Sequence, residues 1–114
     1  MPNTKDILVV TTNDISGYEV VEVFGEVFGL VVRSRNIFSN IGSSFRTIFG
    51  GESAGLTKLL TDSREMAMDR LRQEAADKGA NAILAMRFDT GDIYNIMNEV
   101  AAYGTAVKIQ KKNQ

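Results

Sequence analysis

The sequence predicts a small α+β domain. Three features carry that reading: two long stretches of strand-like alternation, one helical stripe between them, and glycines at the junctions. The predicted order is strand, strand, helix, helix, strand, strand. That order makes a small antiparallel sheet with helices packed on one face.

Ile7-Leu8-Val9-Val10-Thr11-Thr12 is a run rich in β-branched residues, ended by Asn13-Asp14 and Ser16-Gly17, and it predicts a first strand. From Tyr18 to Arg33 the pattern alternates. Val21, Val23, Gly25, Val27, Gly29 and Val31 fall on one face, read as core. Tyr18, Val20, Glu22, Phe24, Glu26 and Phe28 fall on the other, where aromatics mix with carboxylates. Gly25 and Gly29 mark a bulge, a bend or a close backbone approach.

Ile37, Phe38, Ile41, Phe45, Ile48 and Phe49 recur at helical spacing and predict a short amphipathic helix, ended by Gly50-Gly51. Ser53 is positioned to N-cap a second helix. Its stripe is Leu56, Leu60, Ala67, Leu71 and Ala75, with Met66 and Met68 at the edges and Gly79 as a left-handed C-cap. Ala80 to Phe88 then reads as a strand, Asp89-Thr90-Gly91-Asp92 as a turn, and Ile96 to Ile109 as a closing strand. The sheet face away from the helices still needs cover. Phe24, Phe28 and Tyr103 are too apolar to leave in water, and no second layer remains in the chain. They are the expected oligomer interface, buried by a partner subunit.

The chain has 114 residues, one domain over 1–114, long enough to bury roughly two-thirds of its unfolded surface. Thirteen basic against fourteen acidic residues leave a net charge of −1. Without concentrated basic charge there is little pull toward nucleic acid or an anionic membrane. No cysteine is present, so disulfides, thiol chemistry and Cys-based metal sites are excluded. The first residues do not read as a leader, and no apolar run approaches the ~20 residues that span a bilayer. A cytoplasmic protein is expected.

Several segments are familiar together. Gly25-Glu26-Val27-Phe28-Gly29, Gly50-Gly51-Glu52, Ser63-Arg64-Glu65-Met66-Ala67, Lys78-Gly79-Ala80-Asn81-Ala82-Ile83 and Gly104-Thr105-Ala106-Val107 resemble the YbjQ-like family, in order and over nearly the whole chain. The resemblance implies a dodecin-like subunit that assembles into a ring, a pentamer, and implies no established activity. That family carries a heavy-metal-binding label. With neither Cys nor His in this chain, the label has no thiolate or imidazole ligand to rest on.

Carboxylates alone remain for a metal, and they suit Mg, Ca or Mn. Glu22 with Glu26 on one strand face, and Asp89 with Asp92 around a turn, are the candidates; the plainer reading is solvated or interface charge. Without His, no side chain has an unperturbed pKa near neutrality, so acid–base catalysis is unmarked. Asp89-Thr90-Gly91 matches the aspartic-protease triplet, but no partner segment accompanies it. Gly50, Gly51 and Glu52 precede a helix start and, with Arg64, are candidates for a small polar ligand; an inter-helix connection is the plainer reading of the glycines. No cofactor is evident. The expectation is a non-enzymatic, ring-forming homo-oligomer, with a small ligand or hard cation at subunit boundaries. The alternative is an enzyme whose site is built across the interface from carboxylates and Arg64 or Arg87.

Overall fold

In the computed structural model, residues 4–34, 54–93 and 97–113 are described, the side chains of 54 and 56 excepted. After a single 3-10 turn at Thr4–Asp6 come β1 (Leu8–Val9), β2 (Tyr18–Ser34), α1 (Ala54–Asp77), β3 (Ala82–Ile93) and β4 (Met97–Lys111). The expected helix over residues 37–49 and the Gly50-Gly51-Glu52 segment lie outside the described residues. So does the connection between β3 and β4.

The four strands form one sheet in the order β1-β3-β4-β2. It is mixed rather than antiparallel: β2 and β3 run antiparallel to β4, but β1 runs parallel to β3 through Leu8↔Ala82 and Val9↔Ile83. The strand expected over Ile7–Thr12 shrinks to two residues for a local reason. Beyond Val9 the chain leaves the regular ladder and bonds instead to a bulge in β3, where Ala85 has φ 55°. Ala85 N–H donates to the Thr12 carbonyl (2.8 Å) and Met86 N–H to that of Val10 (3.0 Å). Arg87 donates to the Thr11 carbonyl and holds the same loop down.

Helix α1 ends as its sequence demands. Gly79 takes φ 90°, Ala80 N–H reaches back to the Ala75 carbonyl and Gly79 N–H to that of Ala76, which satisfies carbonyls of the last turn. Asn81 then extends the ladder with its side chain, donating to the Ile109 carbonyl and accepting from the Ile109 N–H. The inward stripe of the helix is Ser63, Ala67, Leu71 and Ala75, all fully buried at four-residue spacing. Leu60, expected in that stripe, is 43% exposed, because the stripe passes through Ser63 instead.

Small residues let the helix sit very close to β2. A Cβ at Gly29 would stand 2.0 Å from the Ala67 carbonyl oxygen and 2.5 Å from the Leu71 nitrogen. Val27, Val31, Val100, Ala102 and Ala106 complete this core from the sheet side.

Two register shifts in β2, at Val20/Glu22 and at Val23/Gly25, overturn the expected faces of its first half. Each bulge inserts one residue and exchanges the faces. Val21 and Val23, read as core, are 47% and 65% exposed. Phe24, read as interface, packs on the helix-side core, its ring beside Gly79. Likewise Asp89-Thr90-Gly91-Asp92 is strand and not turn, since β4 continues to pair it through Asp89↔Ala101 and Asp92↔Asn98.

The close seat at Gly29 generates a prediction. Gly29→Ala pushes a methyl into helix backbone that cannot rotate away, and should cost about 3 kcal/mol. Gly91→Ala, with open space around it, should cost nothing measurable. Urea unfolding at one fixed protomer concentration compares the two.

Candidate functional site

The face of the sheet away from α1 divides into two halves. At one end it is covered by the chain's own loop: Val10 and Ile15 pack over Ala82, Leu84, Val107 and Ile109. At the other end nothing among the described residues covers it. There Phe28 is 53% exposed, Leu30 46% and Val32 45%, and Tyr103 lies directly across from Phe28 in the register. The two rings stand 6.3 Å apart at their centroids, tilted by 33°. Three apolar side chains in a row on an edge strand, beside an exposed tyrosine, are far more than scattered surface hydrophobics.

Asp89 and Glu99 border this patch. With Phe28, Leu30, Ala101 and Tyr103 they line an open groove of about 570 Å³. Neither carboxylate has an ion-pair partner among the described residues. A second cleft of about 570 Å³ opens on the helix side, between the first half of α1 and the far end of β3 and β4. Leu60, Arg64, Thr90, Asp92, Asn98 and Glu99 line it. The Arg64 guanidinium lies over the Phe88 ring, 5.2 Å from its centroid. Glu99 borders both hollows, so they are neighbours around the end of the sheet.

The predicted site residues are thus regrouped. Phe28 and Tyr103 come together as expected; Phe24 is removed from them by its bulge. Glu22 and Glu26 do not share a face, because Glu22 aligns with Lys108 and Glu26 with Thr105, three positions apart on β4. Asp89 and Asp92 are also split, one bordering the bare groove and the other the helix-side cleft. Among the described residues no three His, Cys, Asp or Glu side chains gather as a metal site would require. Arg64 and Asp92 line one cleft. Arg87 faces the loop instead, committed to backbone carbonyls. Leu30, Val32 and Glu99 were not singled out from the sequence. Alternation counted on from Phe28 would have found the first two, whereas Glu99 requires knowledge of which strand lies beside β2. No described helix is long and apolar enough to cross a membrane.

The arrangement is that of a small α+β subunit with one sheet face left partly open. Residues 7–110 match a family model described as "Putative heavy-metal-binding". Over 107 residues the chain is 58% identical to a UPF0145 protein of Lactococcus lactis subsp. lactis, covering 94% of this chain and 98% of that one. A UPF0145 protein of Acidothermus cellulolyticus is 54% identical, with 94% and 99% covered. A crystal structure of a DUF74-family protein of unknown function from Pediococcus pentosaceus aligns with a TM-score of 0.51 at 15% identity, covering 91% and 98%, and shares the fold. The chain belongs to the YbjQ family, the UPF0145 proteins.

The metal label attached to that family meets a chain with no thiolate and no imidazole. Calorimetric titration with Zn²⁺ or Cu²⁺ should therefore give no saturable site, since these ions take imidazole or thiolate ligands by preference. A stoichiometric, tight isotherm with either ion would contradict this.

Proposed function

We propose that this protein is an assembly subunit: a closed homo-oligomer, with a ring of five implied by the family resemblance, joined through the bare half of the sheet. The single observation that carries the reading is the unequal treatment of one sheet face. The chain spends its own Val10–Ile15 loop to cover one end and leaves Phe28, Leu30, Val32 and Tyr103 in water at the other. Fully burying one such side chain is worth about 1.5–3 kcal/mol, so this patch is costly to leave open in a small domain. A second copy is the occupant that needs no further component.

The helix-side cleft supports a secondary reading, a small polar ligand held at the subunit boundary. Arg64 and Asp92 offer opposite charges in one hollow, and Glu99 connects that hollow to the proposed interface. A copy seated on the bare face would wall the cleft on that side.

Native mass spectrometry tests both. The wild-type chain should appear as one closed oligomer, and a ligand as excess mass over the bare chains. Phe28→Asp should yield folded monomer, because it places an unpaired charge in the interface. Phe24→Asp should instead lower the unfolding midpoint, since that ring belongs to the core. A wild-type monomer, or an unchanged oligomer in Phe28→Asp, overturns the proposal.

A further inference from the structure

Strand β2 is 17 residues long and, among the described residues, lies at the edge of the sheet, with β4 on one side only. A long edge strand presents unpaired N–H and C=O groups that invite strands from other chains. Its outward-pointing residues in the straight section are Glu26, Phe28 and Leu30, and each has a backbone group bonded by a side chain of α1 or of Lys78, the residue that follows it. Lys78 Nζ donates to the Glu26 carbonyl at 3.2 Å. The Phe28 N–H donates to the Glu74 carboxylate at 3.0 Å. Arg70 donates to the Leu30 carbonyl.

The match is geometric as well as chemical. Successive capping residues are four apart on the helix, a rise of about 6 Å. Successive outward residues are two apart on the strand, about 6.6 Å. The helix and strand run in opposite directions, so the two series stay in step over three positions. Cations meet carbonyls and the carboxylate meets the amide, while Lys78 and Glu74 also approach each other at 3.8 Å. Such charge-assisted bonds are the stronger kind.

We propose that Arg70, Glu74 and Lys78 form a guard that closes the free edge of β2 to strand addition by other chains. The rest of the edge is protected differently. Toward Tyr18 the helix has ended, but the two bulges, at Val20/Glu22 and Val23/Gly25, break the even ladder that an incoming strand would have to follow. Caps and bulges thus divide the strand from Tyr18 to Leu30 between them. The guard does not rest on the assembly reading above. It does bear on it, because strand pairing with a second copy is then left to the opposite side of the sheet, where β1 covers β3 only at Ala82 and Ile83.

The test has two arms. In the first, Arg70→Ala/Glu74→Ala/Lys78→Ala is incubated beside wild type at equal concentration and followed by thioflavin T fluorescence and light scattering. Fluorescent, open-ended polymer is expected from the variant and none from wild type; a folded triple variant that keeps the wild-type size and stays dark overturns the guard. The second arm covers the case in which the triple variant does not fold. In Glu74→Ala the Phe28 amide should exchange with deuterium at least about ten-fold faster than in wild type, while the Val27 and Gly29 amides keep their rates. Glu74→Gln, which keeps an acceptor oxygen, should restore most of the protection. An unchanged Phe28 rate in Glu74→Ala overturns the proposal.

Discussion

The contact on which the structure depends is the seat of α1 on β2 at Gly29. Backbone meets backbone there, with room for a hydrogen and nothing larger. That approach is permitted by Ala67 and Ala75 on the helix and by Ala102 and Ala106 on the neighbouring strand. Small residues bury less area each, but they bring the elements close enough for dispersion contacts to accumulate. The same closeness lets Arg70, Glu74 and Lys78 reach past the edge strand. A helix held higher by leucines would leave those heads in solvent. It also decides which sheet face is spent on the core, and therefore which one is left for the loop and for the open patch.

The residues that carry the family resemblance are explained by these constraints. Gly25 sits at a bulge with φ 98°, Gly29 under the helix, and Gly79 at the helix end with φ 90°. Asn81 lends its amide to the β-ladder beside Ile109. Gly104 lies where a side chain would strike Ile83 and the Leu84 carbonyl. Each is a device of packing or backbone geometry. These glycines and Asn81 therefore mark a fold, whereas Phe28 and Arg64 of the same segments line the bare groove and the helix-side cleft. The heavy-metal label finds no thiolate or imidazole in any of these segments.

The places where the sequence misled are specific. Counting by twos along β2 placed Phe24 beside Phe28 and Glu22 beside Glu26. Both pairings failed because inserted residues reverse the faces, and Gly25 announced irregularity without saying where it begins. Asp89-Thr90-Gly91-Asp92 has turn composition, yet β4 pairs it throughout. Turn propensity is weak beside a continuous ladder partner, and the partner lies outside any local window. The parallel placement of β1 was equally hidden, since local alternation carries no strand direction. Within the site, Phe28 and Tyr103 were legible as too apolar for water, whereas the shared cleft of Arg64 and Asp92 was not, because they lie on different elements.

By itself the sequence determined the α+β class, the two long strands, the buried stripe of α1 from Ala67 to Ala75, the C-cap at Gly79, and the absence of thiol and imidazole chemistry. These follow from periods, side-chain types and single-residue backbone preferences, all of which are local. Tertiary structure decided the mixed strand order, the side to which Phe24 turns, the half of the sheet that stays open, and the pairing of Arg70, Glu74 and Lys78 with three edge residues. Those outcomes depend on bulges, on register and on the distance between elements. They are set by which segments lie against each other, and no residue carries that information alone.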